Sequence, residues 1–159
     1  MQIYLLRHGI AEDAPPGQPD ADRALTAEGR EKLRAVLKRA RAAGVEPGTI
    51  LSSPYRRALQ TAALAAEVLE YKGRIRETPA LVPQASPYDL WEEIRALSEE
   101  PAVLLSSHEP LMSSAMAFLL GCPALQVQMK KGALARIDCE RLGREPKGVL
   151  KWIVTPALA

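Results

Sequence analysis

LLRHGI, residues 5–10, decides how the rest of the chain is read. QIYLLR has the length and apolar character of a short buried strand, yet its end places Arg7 beside His8 and follows them with Gly9. A cation and an imidazole at the end of a core strand fit two situations. One is a capped strand end facing water; the other is half of an anion-binding catalytic pocket.

Outward from this strand, loop, helix and strand signals alternate. EDAPPGQPDADR (12–23) is a loop rich in Pro, Gly and Asp. Residues 25–44 follow with Leu33, Val36, Leu37 and Ala40 at helical spacing and Gly44 to end the helix. TILSS (49–53) reads as a second strand. Ser53 as N-cap and Pro54 at the first helical position then open a helix over 53–70. GRIRE (73–77) holds a short strand. SPYDLWEEIRALSEE (86–100) repeats the Ser-Pro start, with Leu90, Trp91, Ile94 and Leu97 as its apolar stripe. PAVLLSSH (101–108) is another buried strand, followed by Pro110 and a helix over 111–120. GALARIDCE (132–140) and GVLKWIVT (148–155) are the final strands, with a turn near Gly143. This alternation predicts an α/β fold: a single three-layer sandwich with a mostly parallel central sheet flanked by helices, one domain over 1–159. The last two strands are expected to form an antiparallel hairpin at one edge.

Composition narrows the function classes. Hydrophobic residues make up 47% and charged residues 25%, ordinary for a globular protein, and a net charge of +2 is too balanced to indicate nucleic acid or an acidic membrane surface as partner. Cys122 and Cys139 form no CxxC pair and no zinc spacing; both are expected to be small core hydrophobes in a reducing cytosol. The N-terminal apolar stretch is too short for a signal peptide and is broken by Arg7 and His8. No window approaches the roughly 20 apolar residues of a membrane span. The expectation is a soluble, cytoplasmic protein; nothing in the pattern specifies an oligomeric state.

Three strand ends carry unusual residues: Arg7-His8-Gly9, then Ser52-Ser53 with Arg56 and Arg57 on the next helical turn, then Ser106-Ser107-His108 before Glu109. In open α/β sheets ligands bind beyond the carboxyl ends of the strands. The chain has two histidines, and each sits just past an apolar strand. Arg57 shares a stripe with Thr61, Leu64 and Val68 and points toward the sheet; Arg56 shares one with Gln60, Ala63 and Glu67 and reads as a solvated charge. A metal site fits poorly, because arginine keeps its proton and opposes a cation. A serine nucleophile fits poorly too, since no G-x-S-x-G elbow surrounds any of the four strand-end serines. A phosphoryl dianion fits well. Arginine forks match its oxygens, neutral imidazole can attack phosphorus, and neighbouring cations keep that imidazole unprotonated. Gly9 would let the backbone pass close to the phosphate.

These residues resemble the histidine phosphatase superfamily, and in particular its small bacterial phosphohistidine phosphatases. LLRHG, DRALTAEG, LSSPYRRALQTA and LLSSHEP match the family's segments in order between residue 3 and about residue 120. The resemblance implies a phosphoglycerate-mutase-like sandwich without a large lid insertion. It implies that His8 becomes phosphohistidine while Arg7, Arg57 and His108 hold the phosphoryl oxygens, with no cofactor or metal. A phosphorylated protein is the implied substrate. Arg23 is a weaker candidate at the pocket rim, with an exposed helix-entry charge as its ordinary reading.

One departure is visible. The glutamate general acid of many family members falls in a stretch that here reads ALVPQ, with Pro83 in its place and Gln84 unable to act as an acid. Glu109 and Glu12 stay open as substitutes, against the reading of each as a solvated or helix N-terminal charge. Two other functions also stay open: a phosphatase for small phosphoesters, and a non-catalytic module that binds phosphate or a phosphoprotein.

Overall fold

Apolar runs too short for a helix, each bounded by turn residues, become the strands of one sheet. The structure, a computed structural model, describes residues 1–159. Its strands are β1 (Gln2–Arg7), β2 (Thr49–Ser52), β3 (Arg76–Glu77), β4 (Ala102–Ser107), β5 (Leu134–Cys139) and β6 (Gly148–Val154). Its helices are α1 (Ala27–Ala42), α2 (Arg56–Val68), α3 (Pro87–Arg95) and α4 (Leu111–Leu119). The sheet order is β3-β2-β4-β1-β5-β6. The first four are parallel, β5 runs against β1, and β6 runs against β5. The expected mostly parallel sheet with a terminal hairpin at one edge is what forms.

Alternation along β1 divides the core. Tyr4 and Leu6 pack with Leu33, Val36 and Leu37 of α1 and Leu64 and Val68 of α2. Ile3 and Leu5 pack on the other face with Trp91 and Ile94 of α3 and Met112 and Met116 of α4. A strand covered on both faces is apolar throughout, which is why β1 and β4 read as continuous runs. Register then aligns the strand ends: Arg7 lies beside Ser107, and Ser52 beside Ser106. Residues 8, 53 and 108 therefore leave the sheet at one edge. Because β5 is antiparallel to β1, the loop before β5 arrives at that edge too.

Helix ends mostly follow their signals. Thr26 caps α1 by accepting from the Gly29 amide at 2.9 Å, and Gly44 beyond its end has φ +79°. Ser86 caps α3 with Pro87 in first position. The start of α2 differs. It begins at Arg56, with Tyr55 at the cap position and no side-chain cap, so Ser53 is not the N-cap and Pro54 is not the first helical residue. The Ser53 hydroxyl is engaged by His108 at 2.8 Å instead, and Pro54 and Tyr55 carry the chain away from the buried strand end before it coils. Helix α3 stops at Arg95, short of the expected Glu100. Cys139 is buried on β5 as expected, whereas Cys122 is exposed, because it follows Gly121 (φ +61°) in the turn beyond α4. No helix is long and apolar enough to cross a membrane.

The loop leaving β1 presses on the start of α1. A Cβ on Gly9 would sit 3.2 Å from the Gly29 carbonyl oxygen, and one on Gly29 would collide with the Ile10 backbone. Backbone against backbone has nowhere to give, so Gly29→Ala should destabilise the fold by roughly 2 kcal/mol. Arg30→Ala, exposed on the same helix, should stay within about 0.5 kcal/mol. Urea unfolding of the two variants checks this; equal midpoints would contradict the close approach.

Candidate active site

Strand β1 delivers His8 to the sheet edge, where its amide donates to the Ser107 carbonyl at 2.9 Å and the residue is only 5% exposed. Its Nδ1 lies 2.7 Å from the Gly9 carbonyl oxygen. A carbonyl only accepts, so Nδ1 carries the proton and Nε2 keeps a lone pair. The Arg57 Nε–H donates to that Nε2 at 3.3 Å, which requires the same tautomer. Burial, with Arg57, Arg7 and Lys131 nearby, pushes the imidazole down to about 4 against the upward pull of the Gly9 bond. A neutral ring whose Nε2 lone pair accepts only one long hydrogen bond, from Arg57, is chemically a nucleophile once that bond yields.

Helix α2 turns Arg57 inward, as its stripe required; it is 5% exposed, while Arg56 is exposed. One turn on, the Thr61 hydroxyl donates to the Arg57 carbonyl at 2.8 Å and accepts from the Gly9 amide at 3.2 Å, tying the helix to the loop after β1. Arg57 Nη1 donates to the Asp20 carbonyl at 2.8 Å and Nη2 to the Asp20 carboxylate at 3.0 Å. Its guanidinium carbon is 5.1 Å from the Tyr55 ring centre.

Arg7 donates through Nη1 to the Met129 carbonyl at 2.6 Å, and its buried Nε has no partner. His108, 1% exposed, stands with its ring centre 5.0 Å from that of His8. Its Nε2 is 2.8 Å from Ser53 Oγ, and Ser53 Oγ also accepts from the Tyr55 amide at 3.3 Å. With one hydrogen and two lone pairs, the Ser53 hydroxyl can donate to His108 Nε2 or accept from it, so this pair is compatible with a ring proton on either nitrogen. The His108 Nδ1 is buried and unpartnered. Burial, with His8 and Arg57 adding to it, pushes His108 down to about 3. Arg7 Nε and His108 Nδ1 are the chain's two buried side-chain polar atoms without a partner, and both belong to this cluster. Buried polar atoms are normally satisfied, and Arg7 Nε is a donor in any state, so the arrangement suits a ligand that brings acceptors.

The structure thus brings together Arg7, His8, Arg57 and His108 from three strand ends. The other candidates fall around them. Gly9 makes its close approach to Gly29 and Leu25. Arg23 is not a free helix-entry charge: it donates to the Glu12 carbonyl at 2.6 Å and to Asp20 at 3.0 Å, and so shapes the loop that reaches Arg57. Both Glu109 oxygens are engaged by Ser113, at 2.8 and 2.6 Å, in the first turn of α4. Its charge is still felt at Arg7, where it opposes the downward pull of burial. Glu12 is exposed. Sequence reasoning missed Asp20, one of several acidic residues in an aperiodic loop, and it took Ser53 for a cap. No three His, Cys, Asp or Glu side chains converge as metal ligands.

A profile of the histidine phosphatase superfamily (branch 1) matches residues 3–82, a span that includes Arg7, His8 and Arg57; His108 lies beyond it. The chain is similar to the phosphohistidine phosphatase SixA of Escherichia coli, 29% identical over 98% of this chain and 94% of that one. It is 30% identical to an uncharacterized protein of a Picosynechococcus strain, over 84% of this chain and 82% of the other. Among solved structures, the protein histidine phosphatase SixA complexed with tungstate superposes with a TM-score of 0.86 at 26% identity, covering 99% of this chain and 98% of that one.

The two depressed imidazoles set a pH dependence of stability. Each starts from 6.5 and falls to about 4 for His8 and about 3 for His108, so below pH 6.5 the unfolded chain binds more protons than the folded one. Their contribution is complete above pH 6.5 and is lost as pH falls toward 4 and then 3. Urea midpoints measured from pH 7 to 4 should decline, and His8→Asn should flatten the decline. An unchanged slope in that variant would show that His8 titrates normally in the folded protein.

Proposed function

The chain belongs to branch 1 of the histidine phosphatase superfamily, and on that footing we propose that it hydrolyses a phosphoryl group from phosphohistidine on a protein, through a phosphorylated His8. The observation that carries this reading is the Nε2 lone pair of a neutral His8, set beside Arg57 and among the unpartnered buried nitrogens of Arg7 and His108.

In the first step Nε2 attacks phosphorus; the bond from phosphorus to the substrate breaks and the Nε2–P bond forms. Arg7, Arg57 and His108 donate to the three non-bridging oxygens, in place before the charge redistributes. The Gly9 carbonyl holds the Nδ1–H of the ring as it becomes cationic. Asp20, whose side chain is 56% exposed, is the partner of Arg57 that yields most cheaply to a phosphoryl oxygen. In the second step water attacks phosphorus, the Nε2–P bond breaks, and phosphate leaves with His8 neutral again. Two cations and two imidazoles supply this chemistry without a metal, so a chelator should leave turnover unchanged and vanadate should inhibit it.

The leaving group is what favours phosphohistidine. Pro83 and Gln84 supply no acid, and Glu109 is occupied by Ser113. Asp20 is held ionised by its bond to Arg23, with Arg57 adding to it. A serine alkoxide needs a proton to depart, an effect commonly worth about a hundredfold or more. An imidazole protonated on its other nitrogen departs neutral, and its reference pKa of about 6.5 makes that form accessible near pH 7. The similarity to SixA, named a phosphohistidine phosphatase, points the same way. A module that only binds phosphate has no use for an unprotonated imidazole so placed.

Two measurements check this. Turnover of a phosphohistidine protein should exceed, in kcat/KM, that of a phosphoserine peptide and of a small phosphoester. The trapped label should be acid-labile and map to His8, and a clear ester preference or an acid-stable label on serine would reject the assignment. Arg57→Ala should lose about a hundredfold in rate, with Arg56→Ala close to wild type; equal losses would mean that Arg57 does not touch the phosphoryl group.

A further inference from the structure

The catalytic cluster commits its buried donors to one phosphoryl group, and whatever else recognises the substrate stands outside it. A groove of about 630 Å³ opens beside Arg7. Arg7 forms one end of its wall, and Lys32, Gln128, Lys130, Lys131 and Thr155 continue it; no carboxylate lines it. Lys32 comes from α1, Lys130 and Lys131 from the loop before β5, and Thr155 from the end of β6. The reversed direction of β5 is what brings those lysines to the edge where Arg7 and His8 emerge.

The lysine loop is fastened to the catalytic strand. The Gly132 amide donates to the His8 carbonyl at 3.0 Å, Arg7 Nη1 donates to the Met129 carbonyl, and the Ala133 amide closes a turn onto the Lys130 carbonyl at 2.8 Å. Gly132 itself has φ +77°, a conformation that favours glycine and fixes the turn. Lys32 has Glu28 as a partner, but Lys130 and Lys131 have no acidic group within ion-pair distance. The charge of Lys131 reaches His8, where it adds to the cations that depress the imidazole. Two exposed, unpaired lysines on a pinned turn, continuous with a phosphoryl-facing arginine, form a cationic track leading into the site.

We propose that this groove binds a second anionic group of the substrate: acidic side chains flanking the phosphohistidine of the protein on which the enzyme acts. The inference rests on the function proposed above for its choice of a protein. The anion chemistry rests on the groove alone. Three separate elements contribute cations along its length, which suits an extended acidic segment better than a single compact ion.

The test compares wild type with Lys130→Glu and with Lys32→Ala/Lys130→Ala, all outside the catalytic cluster. Substrates are a phosphohistidine peptide with neutral flanks, the same peptide with acidic flanks, an aryl monophosphate, and a small bisphosphate. Wild type should show a KM about three- to tenfold lower for the acidic than for the neutral peptide, the size expected of one or two exposed charge pairs. Raising salt from 0.05 to 0.5 M should erase that advantage. Lys130→Glu should abolish it or reverse it, with kcat and the aryl phosphate kcat/KM within about twofold of wild type. An acidic peptide with no advantage in wild type, or one that survives in Lys130→Glu, overturns the proposal. If neither peptide turns over but the bisphosphate outperforms the monophosphate in a Lys130-dependent way, the groove stands and the protein-substrate reading fails. If the bisphosphate shows no advantage either, the groove is rejected too.

Discussion

A single hydrogen bond, from His8 Nδ1 to the Gly9 carbonyl at 2.7 Å, is the constraint around which the site is arranged. It assigns the ring proton and so leaves Nε2 with its lone pair. It also requires the chain to turn just past His8, bringing Gly9 and Ile10 against the first turn of α1. That approach is closed by Gly29, and the Gly9 amide is closed by Thr61 of α2. The imidazole is thus oriented by both helices on one face of the sheet.

The same arrangement sets the balance of charge. Arg57 is buried and cannot lose its proton, so its fork needs acceptors in the folded state. Asp20 supplies two, a carbonyl and a carboxylate, from a loop with little core of its own, and Arg23 holds that loop in shape. A buried guanidinium is therefore satisfied by an exposed, exchangeable partner. Arg7 is satisfied differently: one nitrogen is anchored on the Met129 carbonyl and its Nε is left over. Both arginines hold their places through contacts that still leave them able to donate to a ligand.

Legibility in the sequence tracked periodicity. Strands covered on both faces read as apolar runs, and the inward stripe of α2 separates Arg57 from Arg56 in the sequence itself, because a helix repeats its environment every three to four residues. The two histidines were visible as polar residues ending such runs. Asp20 was not, because a loop without repeat gives one aspartate no distinction from its neighbours Asp13 and Asp22. Ser53 was misread for a physical reason: Ser-Pro before a helix is a genuine cap signal, and at Ser86 it works, but at Ser53 tertiary contact with His108 claims the hydroxyl. Cys122 was misplaced because the apolar run before it ends two residues earlier, at Leu120, and Gly121 turns the chain after α4. The lysine groove was unreadable because it joins residues far apart in the chain.

The depressed imidazole also explains why two arginines rather than one accompany it. Burial first, with Arg57, Arg7 and Lys131 adding to it, opens a gap between about 4 and neutral pH worth roughly 4 kcal/mol against protonation of His8, and without those cations the gap is smaller. A full negative charge at about 4 Å, at the effective dielectric suited to partly buried pairs, is worth a similar amount. On the proposed chemistry, a phosphoryl dianion arriving beside a lone imidazole would therefore draw a proton onto Nε2 and silence it. Arg7 and Arg57 bring two positive charges to meet the two negative ones, so the ring experiences a nearly neutral assembly and keeps its lone pair. Removing either arginine then does two things at once: it weakens the hold on the phosphoryl oxygens, and it leaves an uncancelled negative charge that favours the protonated, unreactive form of His8.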